Sequence, residues 1–205
     1  MLTLYYAKDS SALASHILLE EVGADYAAHE IPIAHGAHHE ASFLKINPKA
    51  RVPALATPNG VITENPAILT YVAATHPQAH MLPETPFERA EADALNAFLC
   101  ATMHVAFAHK LRGSRWTDDP EAQEALKVKV AANVADCAQV LETHHIKGPW
   151  AMGDPYTLCD AYLFLAPRWM AKAGVDLSDY PKLEAHHEAM LKRPATLAVM
   201  AVHGL

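Results

Sequence analysis

Cysteine is scarce in this 205-residue chain. Its three cysteines (Cys100, Cys137, Cys159) are an odd number without a Cys-x-x-Cys spacing. That excludes a disulfide framework and a cysteine-built zinc site, and it points to reduced thiols and a cytoplasmic location. Basic charge is also short: 16 Lys and Arg stand against 23 Asp and Glu, a formal net charge of −7. With no excess to neutralise phosphates, no nucleic-acid partner is expected. No apolar run approaches the roughly 18 residues of a membrane span, so no membrane partner is expected. Met1–Tyr6 lacks the basic stretch that opens a signal peptide. Walker loops and dinucleotide glycine fingerprints are missing. Histidine is plentiful, at 14, yet no His-Glu-x-x-His motif is completed: four residues beyond His29, His39 and His187 stand Ile33, Phe43 and Leu191. No metal site is expected, and the histidine clusters read as solvated loop and helix residues.

What is present is core material, with 51% hydrophobic and 19% charged residues. Residues 1–76 alternate short apolar runs with Pro, Gly and Asn. Leu2–Tyr6 reads as a strand. Ser10–Val22 reads as a helix, from the Leu13/Ile17 and Leu18/Val22 spacing with Gly23 as its stop. Asp25–Ile33 reads as a second strand, and residues 40–46 as a short helix. Val52–Ala56 and Val61–Thr63 flank Pro58-Asn59-Gly60, a strong hairpin signal. Helical spacing resumes at Pro66–Ala74. The order is β-α-β-α-β-β-α.

Residues 77–86, with Pro77, Pro83 and Pro86, read as a linker. Strand signals then vanish. Phe87–Arg112, Pro120–Thr143, Thr157–Lys172 and Pro181–Met200 read as helices, the last divided by Pro194. In the second of them Leu126, Val130, Val134, Cys137 and Leu141 form one apolar stripe. The expected domains are 1–76 and an all-helical 87–205.

Three segments resemble the glutathione S-transferase superfamily, its bacterial beta-like branch in particular. They are Leu4–His16, then Asn47-Pro48-Lys49-Ala50-Arg51-Val52-Pro53-Ala54-Leu55 with Thr63-Glu64-Asn65, and Gly153-Asp154-Pro155-Tyr156-Thr157-Leu158-Cys159-Asp160-Ala161. The resemblance covers essentially the whole chain. It implies an N-terminal thioredoxin-like α/β domain and an all-α C-terminal domain, the glutathione transferase architecture. It also implies glutathione as co-substrate, a small apolar electrophile and a homodimer. Val52-Pro53 is then expected to be cis, with the Val52 backbone pairing glutathione like an added strand. Glu64 and Asn65 are expected to hold the γ-glutamyl end, although the family usually has Ser or Thr after this Glu. Asn65 capping the next helix, with Pro66 at its first position, is the plainer use of the same residue. His35 and Arg51 are further glutathione-binding candidates. Thr157–Asp160 fits a capping box that serves folding.

Glutathione chemistry requires a thiolate, favoured by a hydrogen-bond donor and a helix N-terminus beside the sulfur. Beta-like members carry cysteine at the position of Ser11, so this chain departs from its branch. A serine cannot form a mixed disulfide with glutathione, but its hydroxyl can donate to the thiolate. Ser11, Ser10 and Tyr6 are the three candidates, and helix capping by both serines is the alternative. Thr102–Phe107 resembles the segment that sets a histidine opposite the sulfur, which makes His104 a fourth catalytic candidate; a core histidine is its other reading. The expected activity is glutathione transfer to an electrophile. The alternatives are a non-catalytic binding member of the fold or a glutathione-dependent isomerase or lyase.

Overall fold

A computed structural model describes all residues, 1–205. Four strands, β1 (Leu2–Tyr6), β2 (Tyr26–Glu30), β3 (Ala54–Thr57) and β4 (Gly60–Thr63), form one sheet in the order β2-β1-β3-β4. β1 and β2 are parallel, joined through α1 (Ala12–Glu21); β1/β3 and β3/β4 are antiparallel. The hairpin forms at the Asn-Gly signal, with Gly60 at φ 132°. The four-residue α2 (Ala41–Leu44) precedes β3, and α3 (Asn65–Thr75) follows β4. These are the seven elements expected, in the expected order, and the thioredoxin-like domain is the fold observed.

β1 alternates its faces as a strand must. Leu4 and Tyr6 are buried, while the Tyr5 ring meets Phe43 and His29 edge-on. α1 is buried almost throughout, from Ala12 to Leu19, because it is covered on two sides by α3 and by the last helix of the chain, α11 (Pro194–His203).

The helical part comprises α4 (Pro86–Phe98), a π-helical turn (Leu99–Met103), α5 (His104–Ala108), α6 (Pro120–Val128), α7 (Val130–Val140), α8 (Leu158–Leu163), α9 (Leu165–Ala173) and α10 (Pro181–Met190). α4 starts on a capping box in which Thr85 Oγ1 accepts from Glu88 N–H and Glu88 Oε2 accepts from Thr85 N–H. The stretch 120–143, expected as one helix, divides at Lys129. The stripe holds over α7 and the residue that follows it, with Val130, Val134, Cys137 and Leu141 buried, but Leu126 on α6 is only half-buried. No helix is long and apolar enough to cross a membrane.

Two compact units emerge, Met1–Glu84 with Leu191–Leu205, and Thr85–Met190. The sequence suggested 87–205 as one helical domain, whereas the last helix packs with the sheet unit. Pairings with α1 hold it there at both ends. Arg193 donates to Glu21 through Nε (2.5 Å) and a terminal nitrogen (2.7 Å), and His203 Nε2 lies 3.1 Å from His16 Nδ1.

Candidate functional site

Strand register gathers the candidate segments at one end of the sheet. Tyr6 pairs with Glu30 at the C-terminal ends of the parallel β1 and β2. Antiparallel pairing sets Ala54, the first residue of β3, opposite Tyr5 and also opposite Thr63, the last residue of β4. The Ala7–Ser11 loop, the His35 turn after β2, Val52-Pro53 and Glu64-Asn65 therefore all lie at that end. No sequence periodicity brings these segments together; the pairing directions do.

The two serines have different surroundings. Ser10 Oγ donates to Ala7 O (2.7 Å) and accepts from Ala12 N–H (3.3 Å). A hydroxyl carries one proton, so that of Ser10 is spent closing its own turn. Ser11 is the N-cap residue of α1, and its side chain makes no capping bond. Its hydroxyl stands uncommitted at the positive end of a ten-residue helix. Tyr6 is turned into the core of its unit, its ring 5.2 Å from that of His16 and 4.9 Å from that of His203. Burial, and Glu30 next, raise the pKa of its phenol, which opposes ionisation.

The loop before β3 is built by Asn47. Its buried amide donates to Arg51 O (2.6 Å) and accepts from Lys49 N–H (3.1 Å), bracing a turn in which Ala50 takes φ 53°. The Val52–Pro53 bond is cis, as expected. Val52 is half-buried and lies just outside the ladder pairs of β3, and the Arg51 and His35 side chains are exposed. Glu64, and not Asn65, is the N-cap residue of α3, with Asn65 and Pro66 the first helical positions. At φ 75°, ψ 128° the Glu64 backbone lies where a non-glycine residue is uncommon, a feature that clusters at ligand sites. Lys49 Nζ donates to Glu64 Oε1. Lys49 and Asn47 were not among the candidates, although both belong to the Asn-Pro-Lys segment that signalled the loop.

Asn65 is buried, 4% exposed, and turns its amide toward α1. Oδ1 accepts from Ser15 Oγ (2.6 Å), and Nδ2 donates to Ser11 O (2.8 Å). Neither bond could be anticipated, since the partners lie 50 and 54 residues away.

In the helical unit, His104 follows directly on the π-helical turn, a feature frequent at functional sites. Its ring stacks on Trp169 with centroids 4.8 Å apart and planes within 5°. Trp169 is buried. Asp160 Oδ2 reaches back to Thr157 N–H (2.7 Å), as the capping box requires. Its other oxygen accepts from Ala151 N–H (2.8 Å) and pairs with His186 Nε2 (2.9 Å), a partner the local motif did not disclose.

Comparison with known proteins agrees with this fold. Residues 1–74 match the family described as glutathione S-transferase, N-terminal domain, and residues 76–194 match its C-terminal domain. The chain belongs to the glutathione S-transferase family. It is 31% identical to glutathione S-transferase GST-4.5 of Xanthomonas campestris, over 98% of both chains. It is 26% identical to a maleylacetoacetate isomerase of Pseudomonas aeruginosa, over 93% of this chain and 91% of that one. A glutathione transferase homologue from Sulfitobacter, solved with bound glutathione, superimposes with a TM-score of 0.97 at 36% identity, covering 100% and 99% of the two chains.

Proposed function

We propose that this protein is a glutathione transferase of the beta-like branch in which the Ser11 hydroxyl, replacing the branch's cysteine, donates to the glutathione thiolate. One observation carries the choice of residue: Ser10 donates its only proton to Ala7 O, whereas the Ser11 side chain makes no capping bond at the start of α1. A donor and a helix N-terminus both favour the charged form of a thiol, lowering its pKa toward neutrality. Proton loss from the thiol to water leaves a sulfur nucleophile, whose electron pair forms the new C–S bond while the electrophile either expels a leaving group with its bonding pair or opens a polarised double bond that then takes up a proton.

The rest of the ligand follows the sheet end. Val52, next to Pro53, offers its backbone as the edge that pairs the cysteinyl part of glutathione. Glu64, held by Lys49, receives the γ-glutamyl amine. The N–H groups of Asn65 and Ala67, which have no acceptor one turn back in α3, receive its carboxylate. Arg51 supplies positive charge, and His35 a ring N–H, for the other carboxylate of glutathione. His104 assists proton movement at the sulfur, and the electrophile is small and apolar. The odd number of cysteines, without a Cys-x-x-Cys spacing, supports a cytoplasmic location, and the family resemblance supports a homodimer and a role in detoxification.

The test is the ultraviolet thiolate absorbance of glutathione titrated with protein across pH. A band appearing well below the free thiol's pKa supports the reading, with Ser11→Ala raising the apparent pKa and Ser10→Ala leaving it in place. An unchanged profile in Ser11→Ala removes Ser11 from the mechanism, and binding without the band favours a ligand-holding protein. The isomerase relative supports a second reading, in which the same thiolate adds reversibly to a conjugated acid. Turnover of such an acid without net consumption of glutathione would favour it.

A further inference from the structure

The environment of Asn65 gives it a task different from touching glutathione with its side chain. Its amide spans two helices. Oδ1, on α3, takes the proton of Ser15 Oγ on the second turn of α1, and Nδ2 donates to the carbonyl of Ser11 at the mouth of the same helix. Ser15 is fully buried and Asn65 nearly so. Both ends of the amide are therefore engaged on α1, and Ser15 cannot meet a ligand.

We propose that Asn65 and Ser15 are positioning residues: through the Ser15–Asn65–Ser11 bridge they lock the mouth of α1 to the start of α3 and so fix the Ser11 hydroxyl against the glutathione sulfur. This rests on the reading of Ser11 as the thiolate donor. Residue 65 then contributes twice, by its backbone N–H to the γ-glutamyl carboxylate and by its side chain to the thiol end. A hydrogen bond from Ser11 to sulfur lowers the thiol pKa only while its geometry holds, and bonds weaken steeply as the angle departs from linear. The Ser11 side chain has no capping bond of its own, so the backbone that carries it must be held from elsewhere. The Ser10 hydroxyl closes the turn locally, and the Asn65 amide is the side chain that holds it from α3.

Ser15→Ala removes one half of the bridge at a site no ligand reaches. The full-length protein is titrated with glutathione, and thiolate absorbance, glutathione Kd and thermal midpoint are recorded for each variant. Ser15→Ala is expected to raise the apparent pKa of the bound thiol by about half a unit to one unit, with a change in Kd of less than about threefold. Ser15→Thr, which keeps the hydroxyl, restores the wild-type pKa. Asn65→Ser supplies the hydroxyl usual in the family for direct carboxylate contact but is too short to span both partners, so it too raises the thiol pKa. In a Ser11→Ala background Ser15→Ala adds no further shift, because the hydroxyl being positioned is gone.

A folded Ser15→Ala protein with the wild-type thiol pKa overturns the proposal. An Asn65→Ser protein with wild-type pKa and Kd overturns it as well, and it remains informative if Ser15→Ala does not fold. A wild-type protein that develops no thiolate band overturns the transferase reading itself, which separates that failure from failure of the bridge alone.

Discussion

Acid should loosen the sheet unit through one residue, His16. Its ring is 2% exposed, hydrogen-bonded to His203 on α11 and packed against the rings of Tyr6 and Tyr26. Burial pushes its pKa from 6.5 down to about 4, a shift partly offset by Glu20, whose carboxylate accepts from Tyr26. Tyr6 and Tyr26 are neutral in this range, their pKa values being raised by burial, and Glu20 is the carboxylate that opposes the shift, with the His203 ring facing His16 from α11. A histidine with a depressed folded pKa binds fewer protons folded than unfolded. Its contribution is thus complete above the unfolded pKa and lost as pH falls from about 6.5 toward 4. Linkage over those two values gives a loss of roughly 2 kcal/mol between pH 7 and pH 5, and about 3 kcal/mol once both states are protonated. For a chain of this size the first figure corresponds to a fall in Tm of about 4–8 °C. His16→Gln keeps a neutral hydrogen-bonding group facing His203 and cannot titrate. Urea unfolding of both proteins at several pH values isolates the His16–His203 pair, because the titrating groups away from it are common to both. Wild type should lose stability relative to His16→Gln as pH falls from 7 to 5. A stability difference that is flat across this window would refute the reasoning.

Two further outcomes follow from the helical unit. Asp160→Ala removes the acceptor of Ala151 N–H, Thr157 N–H and His186, all in a buried setting, and should cost about 3 kcal/mol or more; a urea midpoint within experimental error of wild type would contradict it. His104→Ala should lower kcat about tenfold or more and leave glutathione Kd nearly unchanged if the imidazole assists at sulfur. Normal specific activity with a lowered Tm would confine His104 to its stack on Trp169.

The chain's local chemistry was legible residue by residue. The strands, the Pro58-Asn59-Gly60 hairpin, the α10/α11 break at Pro194 and the Thr157–Asp160 cap all follow from patterns a few residues long, because strand alternation, turn conformation and capping are set by near neighbours. The motifs that marked the site, Ser10-Ser11, Asn47–Pro53 and Glu64-Asn65, could likewise be read as written. What each side chain does there depended on partners far along the chain. Ser10 and Ser11 look equivalent in sequence, and only the closure of the Ala7–Ser10 turn shows which proton is already used. Asn65 looked like a cap or a ligand contact until the packing of α3 on α1 aimed its amide at Ser11 and Ser15. The return of α11 to the sheet unit rests on Arg193–Glu21 and His203–His16, pairs 172 and 187 residues apart. Such pairings carry no periodic signal, since they form only when helices meet. The sequence by itself determined the elements of the sheet unit, their order and the chemistry available at the sheet end; the tertiary structure decided where the stretches 120–143 and 157–172 divide, which of those groups are committed to holding the fold and which are left to meet a ligand.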